Sequence, residues 1–381
     1  MTTVPVVGGT AANDRAASAA PGTVERSDPV EPVDWGLALR VAQRISGRDS
    51  LANSHVGDSL RRDFDDVTTA AEVLVTEFTG LRPTGPARGQ VLDRSSWVEA
   101  NVVSMRRLLA PLTDKLGSRV ARSPLAPVGR TVAGTELGIL LGWVAKRVLG
   151  QYDLLVPDDP TAPAGSPPDD AVYFVGTNVL ALEKRYAFRP RDFRMWIALH
   201  ELTHRAQFTG VHWLRPYFLS LVEQSLSLVE PDPSRFMRVI GRITDDVRRG
   251  RNPLDAGGLV GLIATPAQQV LLDQTQALMS LLEGHGNLVM NRLGRDHVAG
   301  QARMARILHA RRNPGGLAAV VQKLVGFELK MRQYEIGEQF CEAVVREAGL
   351  RALDRAWLDS ESLPTLAELA APDDWLRRVG A

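Results

Sequence analysis

The sequence predicts a mainly α fold with a small β-sheet, and three observations carry that prediction. Apolar residues recur at three- and four-residue spacing through most of the chain, the β-branched and aromatic content of a strand is best seen in one segment, and helical pattern far exceeds strand pattern. At 381 residues and 44% hydrophobic content the chain can bury one large core or two modest ones.

The elements follow in order. Residues 1–30 are rich in Ala, Gly, Pro, Thr and Ser and lack the basic start and apolar run of a secretory signal, so a disordered tail is expected. Helices are predicted over Trp35–Ile45, Val67–Phe78, Trp97–Leu116 and Val132–Leu149, separated by Gly, Pro or Ser clusters, and together they predict an N-terminal helical bundle in a subregion spanning 31–157. A Pro- and Asp-rich stretch, Asp158–Asp170, predicts a loop or junction. The strand candidate is Ala171–Leu182; it is either an edge to which an extended peptide adds or a plain core strand. Further helices are predicted over Leu214–Val229, Pro233–Arg248, Pro266–Leu293, His297–Arg311, Leu317–Val325 and Phe327–Glu347, with one or two short ones in Leu363–Arg378. The second subregion, 171–348, holds the residues with chemistry.

Composition excludes several classes of function. A formal net charge of +1 gives no electrostatic case for nucleic acid or an anionic membrane as partner, and no apolar run approaches the length of a membrane span. Cys341 stands alone, which rules out a disulfide framework and a cysteine-rich metal knuckle. A cytoplasmic protein is expected.

Chemistry is declared in Phe193–His204, which carries His200-Glu201-Leu202-Thr203-His204, an H-E-x-x-H pattern. Pro190 suits a helix start, Asp192 puts negative charge in the first turn, and Phe193, Trp196, Ile197 and Leu199 form an apolar stripe. On such a helix His200 and His204 share a face and can grip one Zn²⁺, with Glu201 placed as general base toward water on that cation. Two core histidines bonded to carbonyls are the alternative, but burying two imidazoles beside a carboxylate is costly without a compensating cation.

A catalytic zinc site needs a third protein ligand. Gly210 stands where a metzincin would have its histidine, and His212 would need a different turn. Glu223 has a spacing from His204 that resembles that of aminopeptidase-type gluzincins; Glu283 has the more informative surroundings, Glu283-Gly284-His285-Gly286-Asn287 inside an apolar helix. Glycines weaken a helix by about 1 kcal/mol each, so Gly284 and Gly286 point to a close approach by another backbone or a bound group. Asn287, one turn on, would share the face of Glu283 and could bond a ligand histidine. Those features favour Glu283. For an oxyanion donor the candidates are His285, His297 and Tyr334, with weaker claims for His55, His309, Arg215 and Lys330.

Together these motifs resemble the gluzincin pattern, and the chain from about Trp35 to its last helices resembles the zincin-like metallopeptidase family of actinobacteria and relatives. Val148-Leu149-Gly150-Gln151-Tyr152-Asp153, Gly176-Thr177-Asn178, His212-Trp213-Leu214-Arg215 and Gln333-Tyr334-Glu335-Ile336-Gly337 match it as well. The resemblance implies a zincin-like domain over 31–378, a zinc cofactor held by His200, His204 and Glu283, and peptidase action on a peptide or protein substrate. Some members carry a coenzyme F420 biosynthesis label, which implies no binding of that cofactor. The sequence departs at Gly286 and Asn287, where alanine and aspartate are expected; a neutral amide makes a weaker orienting bond than a carboxylate. The alternative function is a non-catalytic zinc-binding regulatory or interaction module.

Overall fold

The computed structural model describes residues 31–47, 51, 54–121, 126–156, 170–228, 265–312 and 327–380. The expected tail, the predicted helices Pro233–Arg248 and Leu317–Val325, and most of the Asp158–Asp170 stretch lie outside the described residues.

Three early helices start at short polar side chains that satisfy a free backbone N–H. Asp34 accepts from Leu37 at the start of α1 (Trp35–Ser46), Ser54 from Gly57 at the start of α2 (His55–Thr79), and Asp93 from Ser96 at the start of α3 (Arg94–Leu108). Each cap contributes about 1 kcal/mol. Strand β1 (Gly89–Leu92) lies between α2 and α3. Sequence periodicity predicts one helix over Trp97–Leu116, but the chain forms two, with α4 (Ala110–Ala121) starting after Leu109. Pro111 explains the break, because it has no N–H for the carbonyl of Arg107 and its ring would crowd that group. Helix α5 (Ala126–Ala145) lies along α1, with Gly134, Gly138 and Gly142 against the α1 backbone and side chains.

Strands β2 (Gly150–Asp153) and β3 (Ala171–Val175) complete a three-stranded sheet of order β1-β3-β2, with β1 parallel and β2 antiparallel to β3. The strand expected over Ala171–Leu182 therefore ends at Val175, and both of its edges are taken: it is the core strand, and no peptide can add to it. At Gly176 the backbone presses on Leu51, Leu60 and Val91, and helix α6 (Gly176–Tyr186) begins. Buried Asn178 then donates to the carbonyls of Ala145 and Val148, at 2.8 and 2.6 Å, closing the end of α5. Neither β1 nor β2 was apparent from periodicity, since four residues are too few to show an alternation.

Strands β1 and β2 form the two outer edges of the sheet, and that of β2 bears on the site. Val175 N–H donates to Leu149 O, so in this register Gly150 and Tyr152 turn their backbone groups away from β3, toward the outer edge. That edge faces helix α7 (Pro190–Gly210), which carries the H-E-x-x-H residues and starts at Pro190 as the sequence predicts. Phe193, Leu199 and Ala206 on α7 are fully buried, and full burial of a Phe or Leu contributes about 1.5–3 kcal/mol.

Helices α8 (Leu214–Ser227), α9 (Pro266–His297), α10 (Gln301–Arg312) and α11 (Phe327–Ala348) follow, then 3₁₀ turns at Leu350–Trp357 and Ser360–Ser362, α12 (Leu366–Ala370) and α13 (Pro372–Val379). Helix α7 packs between α2 and α9 in one core with β3; α8, α9, α11 and the C-terminal turns enclose a second; α1, α3, α5 and the other face of the sheet enclose a third. Two buried arginines fix α7 in place. Arg194 makes a two-pronged bond to Glu183 at 2.8 and 2.9 Å and pairs with Asp63; Arg205 pairs with Asp170 at 2.8 Å and with Glu72, and donates to the carbonyls of Thr84, Gly85 and Pro86. Removing one partner of such a pair is strongly destabilising because a charge is left buried alone. No helix among the described residues is long and apolar enough to cross a membrane.

Candidate metal centre

Helical geometry places His200 and His204 one turn apart on α7, their rings 4.6 Å between centroids and nearly perpendicular. Their Nε2 atoms lie 3.1 Å apart, and Glu283 Oε2 on α9 lies 3.4 and 3.6 Å from them. Among the described residues these three side chains form the group able to hold a metal ion. Zinc bonds of about 2.0–2.1 Å in tetrahedral geometry put ligand atoms roughly 3.3–3.4 Å apart, so the triangle has the size that Zn²⁺ requires. Two imidazole nitrogens and one carboxylate oxygen also suit that ion's preference for N and O donors.

Two helices reach this spacing because Gly286 lets them. A Cβ at Gly286 would stand 3.2 Å from the rings of both His200 and His204. The alanine expected there would require the rings to give by a few tenths of an ångström, so this departure is mild. Gly284 serves the other side of α9, where its Cβ position is filled by the Gly337 backbone of α11.

Electrostatics follow from burial and proximity. Burial pulls the His204 pKa down, but the Glu283 and Glu201 carboxylates outweigh it and raise the value to about 9. Burial works against ionised Glu283 too, yet the charge and hydrogen bonds of His204 and His200 hold its carboxyl well below the usual range. A proton thus sits where a cation would. Burial pushes Glu201 up, helped by Glu283 and opposed by His200, His204 and the backbone N–H of Tyr152. The Glu201 carboxylate fills the place of a Gly150 side chain, 2.7–2.8 Å from the ideal Cβ position.

The orienting bond expected from Asn287 is absent. His204 Nδ1 meets Gln207 Oε1 at 3.0 Å, and His200 Nδ1 is buried without a partner. Gly286 brings the α9 backbone flush with the rings, which leaves Asn287, itself buried, bonded to neither. Gln207 was missed; its signal was its place three residues after His204, on the same helical face.

The remaining candidates are dispersed. Glu223 is exposed on α8, and His212 and His55 are exposed. His285 is buried against Trp357 and bonded to Gln207; burial and the His204 charge lower its pKa to about 3. His297 is exposed at the end of α9, about 21 Å along the helix axis from Glu283. Arg215 donates to Leu154 O at 2.6 Å. The side chains of Tyr334, His309 and Lys330 lie outside the described residues.

An H-E-x-x-H helix facing a glutamate from a second helix defines a site of the zincin class. The profile of the zincin-like metallopeptidase family matches residues 33–376, and the chain belongs to that family. It is similar, at 29% identity and a TM-score of 0.65, to a crystal structure from Chloroflexus aurantiacus of a protein provisionally classed as a hydrolase with a novel fold. That match covers 91% of this chain and 99% of the other. No curated protein matches the sequence.

Proposed function

We propose that this protein is a zinc-dependent peptidase. The observation that carries the reading is the triangle of His200 Nε2, His204 Nε2 and Glu283 Oε2, with sides of 3.1, 3.4 and 3.6 Å, one residue along the chain from a buried carboxylate. These three side chains hold the ion. When bound, zinc supplies Lewis acidity, lowering the pKa of a water toward 7 and polarising a carbonyl. Glu201 takes the proton from the attacking water and hands it to the leaving amine, and its raised pKa suits both halves of that transfer. The Tyr152 N–H holds the same carboxylate from the sheet edge, and the outward backbone groups of Gly150 beside it are ones that an extended peptide, the substrate class proposed, can bond. Membership of a metallopeptidase family and the hydrolase classing of the Chloroflexus aurantiacus protein support the same conclusion.

The test begins with metal-free protein. It is expected to take up one Zn²⁺ per chain and to release about one proton at pH 7, because His204, with its pKa at about 9, must give up its proton to bind. Below about pH 9 the apparent affinity then rises with pH, by about tenfold per unit for one displaced proton. Calorimetry in two buffers of different ionisation enthalpy reads the proton, and mass spectrometry of a mixed peptide library reads cleavage. No zinc uptake, or uptake without cleavage of any library member, defeats the proposal.

A second variant probes the slot that holds the base. Gly150→Ala is expected to displace the Glu201 carboxylate by roughly 1 Å and lower kcat about 100-fold at unchanged zinc content. Equal kcat in variant and parent would show that the slot does not position Glu201.

A further inference from the structure

Gln207 has no exposed surface, and every polar atom of its side chain is engaged. Its amide nitrogen lies 3.1 Å from Leu282 O and 2.9 Å from His285 Nδ1, and its oxygen lies 3.0 Å from His204 Nδ1. The Leu282 carbonyl oxygen can only accept, so the amide nitrogen must be the atom that faces it; the reverse orientation would set two oxygens against each other. That one constraint fixes the rest. The amide oxygen faces His204 and can only accept, so His204 carries a proton on Nδ1, which leaves Nε2, facing His200 and Glu283, as the nitrogen that can offer a lone pair to a metal. The second amide N–H faces His285 Nδ1, which must therefore be bare, so His285 is neutral with its proton on Nε2.

The same bond to Leu282 grips the residue immediately before Glu283. Gln207 therefore ties the helix of the two histidines to the backbone that presents the third candidate ligand. Resting on the ligand reading above, we infer that Gln207 is the positioning residue of the metal centre. It selects the tautomer of His204 that can bind a metal, the bond to a ligand histidine expected of Asn287 but made from within the H-E-x-x-H helix, and it also sets the spacing between α7 and α9. His285 belongs to the same device as an acceptor buttressed by Trp357, and it takes no part in catalysis.

Two measurements test this. In full-length wild-type protein labelled with ¹⁵N-histidine, the expected spectrum shows His285 protonated at Nε2 and His204 at Nδ1 in the zinc-loaded state. Finding His285 protonated at Nδ1 overturns the inference with no variant needed. Gln207→Met, similar in size but without hydrogen bonds, is expected to weaken zinc binding about 10–100-fold in competition with a chromophoric chelator, the usual effect of losing an outer hydrogen bond to a ligand. In that variant His285 is also expected to lose its single tautomer. A zinc constant within twofold of wild type, in a variant that remains folded by its histidine spectrum, overturns the inference while leaving the ligand reading standing. A wild-type protein that takes up no zinc overturns the ligand reading, and the inference with it.

Discussion

Glu201→Gln is expected to leave zinc uptake at one ion per chain and to lower kcat by about 10²–10⁴-fold, the usual contribution of a positioned general base. The substitution is chosen for shape. A carboxamide fills the slot beside Gly150 as the carboxylate does, so the sheet edge and α7 stay in register. Its charge differs, and an amide takes up no proton at neutral pH. Removing the buried carboxylate also removes a neighbour that helps keep His204 protonated, so zinc binding to the variant is expected to release no more protons than binding to the parent. The loss should fall on kcat, with KM nearly unchanged, because Glu201 acts on the proton in the transition state and not on the ground-state grip of the substrate. Activity retained within tenfold would remove Glu201 from the mechanism, whereas loss of zinc along with activity would make it a structural partner of the centre.

How much of this was legible in the sequence differs from residue to residue. The α7 helix could be read because its signals are local: Pro190 at the start, an apolar stripe, and two histidines at the spacing of one turn. Glu283 could be singled out because Gly284 and Gly286 are out of place in an apolar helix unless something comes close, and each has its neighbour: Gly337 for one and the imidazoles for the other. What could not be read was anything set by pairing between distant segments. Strands β1 and β2 are four residues each and exist because β3 lies between them. The same blindness misassigned the orienting bond: helical spacing placed Asn287 on the face of Glu283, but the depth at which α9 meets α7 decides which side chain reaches an imidazole, and at that depth Gln207 does. The break at Leu109 was a different failure, since Pro111 was visible and was passed over in favour of periodicity.

Gly337→Ala is expected to be the most damaging single methyl group that can be added to the described helices. A Cβ at Gly337 would overlap the carbonyl of Ser280 on α9, and one at Gly284 would overlap the backbone of Gly337 and Glu338 on α11. The two glycines face each other where the helices cross, so the obstacle is backbone and cannot rotate away. Alanine is worth up to about 1 kcal/mol more than glycine in a helix. Overpacking a close-fitted contact costs about 1–3 kcal/mol, occasionally more, and a backbone obstacle belongs at the upper end of that range. The clash therefore wins, with net destabilisation of about 2 kcal/mol, read as a lower denaturant midpoint. Zinc affinity should fall with it, because the helix pushed aside carries Glu283 next to Gly284. Gly129 supplies the control: it lies in α5 with open space around its Cβ position, and Gly129→Ala should raise stability by up to about 1 kcal/mol with zinc binding unchanged. If Gly337→Ala were as stable as Gly129→Ala, the close crossing of α9 and α11 would not exist in solution, and the depth that sets Glu283 against the two histidines would need another cause.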